Sequence, residues 1–138
     1  MTTAQSNKAI LTKAYQLWHE TRGASIDHWL DISSDKISFG SLAQGAEPVR
    51  FTAQRNNKDE MRGYLEELTN DWKMIHYTVD HYIAEGDFVI AVGSTAWTNK
   101  ATDKVADTRK VDVARFREGK MIEFFEYYDT AALINAAS

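Results

Sequence analysis

Two carboxylates stand where a packed sheet would place apolar side chains. In "VDVARFREGKMIEFFEYYD", residues 111–129, Asp112 and Glu126 fall on two stretches that read as the strands of a hairpin. Side chains alternate along a strand, so Asp112 shares a face with Ala114 and Phe116, and Glu126 shares one with Phe124 and Tyr128. If the phenylalanines point to the core, the carboxylates do too. A carboxyl in an apolar pocket is harder to ionise, and a like-charged neighbour makes one of the two harder still, which is how a general acid or base is made. At least one of the pair is then expected to titrate above the ordinary carboxylate value of ~4. The alternative is that each is tied to a buried Tyr, Trp or His or reaches solvent at a rim, because unpaired buried charge is costly. A register slip of one residue would turn Glu126 outward and Glu123 inward.

The other residues with chemical potential are aromatic or imidazole. Trp18, Trp29, Trp72 and Trp97 read as core or pocket wall, since their area dominates packing. Trp97 shares a strand face with Val89, Ala91, Gly93 and Thr95, a pattern of small residues beside a large one that leaves room for a ligand. His76 is either a pocket base or a hydrogen-bonded structural histidine, and His19 and His28 read as surface residues. With no cysteine, the chain offers no disulfide, thiolate nucleophile or cysteine-rich zinc site, and no His and carboxylate spacing resembles a metal site. Neither metal nor cofactor is expected.

The elements that must position these groups follow from the periodicity. Residues 6–21 carry a helical pattern with Ser6 as N-cap, Gly23 stops it, and "SIDHWLDIS" starts a short second helix at Ser25. A short strand near Lys36 to Gly40 leads into an irregular stretch from Ser41 to Asn57 that holds the only proline, expected to close one side of a pocket and to move more than the sheet. A third helix, capped by Asn57, repeats apolar residues at Met61, Tyr64, Leu65, Leu68 and Trp72. The period then changes to alternation. Turn signals at Glu85-Gly86-Asp87 and Arg117-Glu118-Gly119-Lys120, with a longer break around Asn99 to Asp107, divide the rest into four antiparallel strands. Lys100 to Lys110 reads as a solvated hairpin tip, and Asp129 as the N-cap of a final helical turn. Helices gathered first and strands last indicate an α+β fold.

At 138 residues with 43% hydrophobic content, residues 1–138 make one domain able to bury a core. The net charge of −4 is mixed in sign and supplies no basic stripe, so nucleic acid is not an expected partner. The polar start and the lack of an apolar run near the ~18–20 residues that span a bilayer point to a soluble, cytoplasmic protein and no membrane partner. The strand face opposite Asp112 and Glu126 carries Val111, Val113, Phe125 and Tyr127, extended by Phe88, Ile90 and Val92. Helices can cover one face of the sheet; the simplest cover for this one is a second copy, giving a homodimer.

Helix, short helix, strand, helix and a meander closing on "FREGKMIEFFEYYDTA", preceded by "AEGDFVIAVGSTAW", resembles the SnoaL-like and ketosteroid-isomerase-like branch of the nuclear transport factor 2 (NTF2-like) superfamily. The resemblance implies an NTF2-like, cystatin-like cone in which N-terminal helices pack on a strongly curved antiparallel sheet enclosing a pocket, often dimeric through the convex sheet. Ketosteroid isomerases use a protonated Asp on the strand before the last and a Tyr on the first helix as donors to a developing enolate, while another Asp moves the proton. Asp112 and Tyr15 match the first two, but Phe39, Gly40 and Ser41 stand where the proton-moving Asp is expected. Limonene-epoxide-hydrolase-like members use an Asp on the last strand, matched in charge by Glu126, with an Arg and a second Asp that Ala91 to Ala96 do not supply. The implied protein has a pocket for a small, mostly apolar, carbonyl- or hydroxyl-bearing molecule. It is either a cofactor-independent isomerase, dehydratase or hydrolase, or a non-catalytic binding or dimerisation module. Asp112, Glu126 and Tyr15 are the expected catalytic groups; Trp18, Trp72, His76, Trp97, Ala114, Phe124 and Tyr128 are the expected ligand contacts.

Overall fold

A computed structural model describes residues 2–138. Helix α1 (Thr3–Glu20) starts earlier than expected. Thr2 Oγ1 accepts from the Gln5 N–H at 3.1 Å and Gln5 Oε1 accepts from the Thr2 N–H at 2.8 Å, so the cap is Thr2, not Ser6. A reciprocal box satisfies two orphan donors where a lone Ser satisfies one. The helix buries a stripe of Asn7, Leu11, Ala14, Tyr15 and Trp18, spaced three and four apart. Helix α2 (Ile26–Asp31) buries Trp29 and Leu30.

Strand β1 (Ser33–Ser41) is longer than expected and pairs in parallel with the last strand, so the sheet is mixed and not wholly antiparallel. The segment after it is packed: Val49, Phe51 and Thr52 are buried, the last two in a short 3-10 turn (Arg50–Thr52). Phe39 and Arg55 exchange backbone hydrogen bonds of 2.8 and 2.9 Å, and the Arg55 guanidinium donates to the carbonyls of Phe51 and Glu60. Helix α3 (Lys58–Asp71) is capped by Asn57, whose Oδ1 accepts from the Glu60 N–H at 2.8 Å, and Asp59 and Glu60 suit the positive end of its dipole. It buries Met61, Tyr64 and Leu65 and passes directly into β2 (Trp72–Glu85).

Strands β3 (Phe88–Asn99), β4 (Val105–Arg117) and β5 (Lys120–Tyr128) complete a sheet of order β1-β5-β4-β3-β2, followed by α4 (Thr130–Ala136) with Asp129 as cap. The β4–β5 turn takes positive φ at both Glu118 and Gly119, as a tight hairpin requires. Because β4 begins at Val105, Lys110 lies well inside a strand and is buried; the solvated tip ends before it. Register shifts between Met74 and His76, Val79 and His81, and Arg115 and Phe116 bend the long strands, curving the sheet over the helices. The faces fall as the alternation requires: Asp112, Ala114, Phe116, Phe124 and Glu126 are buried, while Phe88 and Tyr127 on the other face are exposed.

Gly93 has a different job from the one its size suggested. It opposes Lys110 on the neighbouring strand, and a Cβ there would overlap the Thr78 carbonyl oxygen at the second bulge of β2. The glycine permits a close backbone approach; it does not hollow out a cavity.

Two outcomes are expected. Gly93→Ala should lower the unfolding free energy by about 1–3 kcal/mol or more, read from urea denaturation with an unchanged m-value. In amide exchange the Arg55 N–H should be protected as well as that of Phe39, its β1 partner, while the Glu47 N–H exchanges fast; rapid exchange at Arg55 would show that the whole segment opens.

Candidate functional site

The strand register builds the site. Asp112 on β4 stands directly opposite Glu126 on β5, and Glu126 in turn opposes Ser41 on β1. Like charges directly opposite on one sheet face repel, and both are buried here, with 1% and 8% of their surfaces exposed. Lys110, two residues before Asp112 on the same face, resolves the conflict. Its Nζ donates to Asp112 Oδ1 at 2.7 Å, lies 2.7 Å from Glu126 Oε2, and donates to the Tyr77 hydroxyl at 2.5 Å. These three partners match the three donors of an ammonium.

Tyrosines complete both carboxylates. Tyr15 from α1 donates to Asp112 Oδ2 at 2.5 Å, and Tyr77 from β2 donates to the same oxygen. Tyr64 from α3 donates to Glu126 Oε1. Asp112 is thus held by three donors and Glu126 by two. Ser41 Oγ bonds the Tyr128 hydroxyl, which also accepts from the Ala43 N–H at 3.2 Å.

The ionisation of these groups is set by burial first. Burial pushes the Asp112 carboxyl above the ordinary aspartate value; Lys110 pulls it down and Glu126 pushes it up. Burial would lower Lys110, but Asp112 and Glu126 outweigh it and raise the ammonium well above the ordinary lysine range. Its folded value lies above its unfolded one, so its stabilising effect is complete through neutral pH and is lost only in strong alkali. Burial, then Asp112, raises Tyr15 and Tyr77 well above the ordinary tyrosine value, and burial with Glu126 does the same for Tyr64. All three act as neutral donors.

Beside this network lies a cavity of about 90 Å³. Its walls include Trp18, Trp29, Trp72, Trp97, Phe51, Phe124 and Tyr128, and its polar margin includes Lys110, Glu126, Tyr15, Tyr64 and Tyr77. Of the expected contacts, Trp18, Trp72, Trp97, Phe124 and Tyr128 line it, as do Tyr15 and Glu126. Three residues are placed differently. Asp112 sits one layer behind the wall, screened by its tyrosines and Lys110. Ala114 is fully buried beneath the sheet face and outside the lining. His76 also lies outside it; a bulge turns its ring to Thr78, whose Oγ1 is 3.0 Å from Nδ1. His19, expected at the surface, accepts from the Tyr77 N–H at 3.1 Å and so ties α1 to β2.

Sequence reasoning missed Lys110, Tyr64 and Tyr77. Alternation from Asp112 does put Lys110 on the inner face, a signal hidden by the basic run before it. Tyr64 read as one apolar residue among several on α3. Tyr77 depends on the bulge.

A model of the SnoaL-like domain family matches residues 13–124. None of the curated proteins matches the chain. Among solved structures the chain is similar to an NTF2-like protein from Burkholderia xenovorans LB400, at 20% identity over 100% of both chains with a TM-score of 0.83. It is also similar to a protein of ketosteroid isomerase-like fold from Catenulispora acidiphila, solved in complex with trimethylamine, at 14% identity over 92% of this chain and 90% of that one (TM-score 0.75). A candidate SnoaL-like polyketide cyclase from Mesorhizobium loti matches at 20% identity over 93% of this chain and 100% of that one (TM-score 0.74). These likenesses show the NTF2-like α+β fold.

Removing the central cation gives a signed test of the network. Lys110→Met leaves two buried carboxyls without their shared partner and is expected to cost about 3–5 kcal/mol at pH 8. With the cation gone the folded Asp112 carboxyl, already raised by burial, rises further above its unfolded value. A raised acid contributes most at low pH and loses that contribution as pH rises through its folded value, so part of the loss should be recovered at pH 5. Urea denaturation at both pH values measures this; an equal loss at each would contradict the assignment.

Proposed function

The chain belongs to the SnoaL-like domain family, and from that premise we propose that it holds a small, mostly apolar molecule in the aromatic cavity, with Glu126 accepting a hydrogen bond or a proton from it. One observation carries the reading. Glu126 is a carboxylate on the cavity wall with each oxygen accepting one bond, from Lys110 and Tyr64. A carboxylate offers about four acceptor sites, so acceptor capacity remains toward the cavity.

The same bonds narrow the ligand. Tyr15 and Tyr77 spend their protons on Asp112, and Lys110 has no donor left over. Among these groups a ligand carbonyl finds no free donor, whereas a ligand hydroxyl finds an acceptor on Glu126; the donor left to a carbonyl is the unpartnered indole N–H of Trp29 in the cavity wall. In a reaction, Glu126 would take a proton from the ligand and return it elsewhere on the same molecule, an isomerisation that needs no cofactor. Asp112 and Tyr15 act here as positioning residues: they fix Lys110, which fixes Glu126. Binding without turnover is the second reading. It is favoured by the size of the cavity, about 90 Å³ against the ~300–1,000 Å³ of a usual ligand pocket, and by the missing members of both catalytic sets.

The convex sheet face supports a homodimer as partner. Phe88 and Tyr127 are 40% and 45% exposed there, beside half-buried Val111, Val113 and Phe125, an apolar surface that a symmetric copy would cover.

The site is tested with tert-butanol as a small neutral donor, followed through the tryptophan indole NMR signals. Parent protein is expected to give saturable shifts. Glu126→Gln should bind several-fold more weakly, since a neutral acceptor makes a bond about half as strong as a charged one. Equal affinity in both would remove Glu126 from the site. Sedimentation at micromolar concentration should show a dimer, and Val113→Glu, which sets like charges near the two-fold, should shift it toward monomer.

A further inference from the structure

We propose that the cavity is built for a small organic cation, a protonated or quaternary amine, an assignment that rests on reading the cavity as a ligand site and names what enters it. The charge count is the starting point. Asp112 accepts from three donors and Glu126 from two, and among the described residues Lys110 is the one cation that reaches them. With both carboxyls ionised, two carboxylates against one ammonium leave an excess of one negative charge, which burial opposes by raising Asp112. Arg55 lies over the ring of Tyr64 with its guanidinium carbon 5.7 Å from the centroid and is itself 3.6 Å from Glu67. It does not cancel the excess.

The surroundings make that excess effective. The charge sits in an apolar enclosure where water screens little, so a ligand ammonium beside Glu126 would gain more than at a surface. A bare ammonium pays desolvation on entering, and the walls offset it: Trp18, Trp72 and Trp97 line the cavity, and aromatic rings attract a cation through their electron-rich faces. A neutral alcohol gains only the hydrogen bond. A carboxylate or enolate ligand would add a third negative charge and find no free donor on Lys110, Tyr15 or Tyr77.

Size sets the rest. A cavity of about 90 Å³ is small and admits only a compact ligand. Trimethylammonium fits this outline: its N–H can donate to Glu126 while its methyl groups meet the rings. The excess charge has a further consequence. It belongs to Asp112 as much as to Glu126, so neutralising the carboxylate behind the wall should weaken cation binding without removing the acceptor on it.

The test uses three probes of similar size and separates charge from hydrogen bonding: trimethylamine at a pH where it is protonated, tetramethylammonium, and tert-butanol, each titrated against the full chain by indole NMR. The parent is expected to bind trimethylammonium at least tenfold more tightly than tert-butanol, with tetramethylammonium between them. The ratio of cation to alcohol affinity should fall toward one in both Asp112→Asn and Glu126→Gln, with folding checked by the dispersion of the indole signals. Should either variant misfold, a measurement on the parent decides: trimethylamine affinity should drop when pH exceeds the amine's own pKa, while tetramethylammonium affinity does not. Alcohol binding as tight as amine binding overturns the cation assignment and leaves the hydroxyl reading standing. Binding of neither probe overturns both.

Discussion

Two carboxylates placed directly opposite one another on neighbouring strands, both buried, are held together by a single lysine. Much of the site geometry follows from that repulsion. Asp112 and Glu126 face each other across β4 and β5, and taking two such charges out of water costs several kcal/mol per ion unless good geometry returns it. Lys110 returns it with three short contacts, Tyr15 and Tyr77 saturate Asp112, and Tyr64 supports Glu126. The helices and sheet thus meet at a polar knot as well as an apolar core. Tyr15 fixes the rotation of α1 and Tyr64 that of α3, because a tyrosine aimed anywhere else would leave a buried acceptor short of a donor.

This knot also explains why the site resembles two catalytic templates and completes neither. In an enolate-stabilising site the Tyr and Asp both donate to the ligand. Here Tyr15 donates to Asp112, and the lysine on the other oxygen makes the Asp an acceptor. The hydrogen-bond polarity of the pair is turned inward. What remains on the cavity wall is an acceptor, Glu126, where an oxyanion-stabilising site would present donors. The same fold can host either, so the residues at the knot decide the chemistry.

The curvature of the sheet carries a comparable share. Bulges in β2 and β4 bend the sheet around the cavity, and the first of them reverses the alternation locally, so that Met74 and Tyr77 point inward while Ile75 is 46% exposed. Without that insertion Ile75 and Tyr77 would share a face. The close approach of Gly93 to Thr78 belongs to the same device. Backbone irregularity therefore brings Tyr77 to the lysine.

The order of the elements, the α+β class, the inward direction of Asp112 and Glu126, and most of the tryptophan walls are legible in the amino-acid pattern. All of these follow from local periodicity and from the cost of exposing large apolar groups. Asn57 and Asp129 were legible as caps for the same reason, since capping is settled within four residues. Packing of distant segments is what makes Tyr15 and Tyr77 share one oxygen of Asp112, turns His76 away from the cavity, and stands Lys110 between the carboxylates. Those outcomes depend on strand register, on bulges that break the period of two, and on the pairing of charges distant in the chain. The energy of a buried ion depends on which partners surround it, and that is settled only when the strands and helices have met.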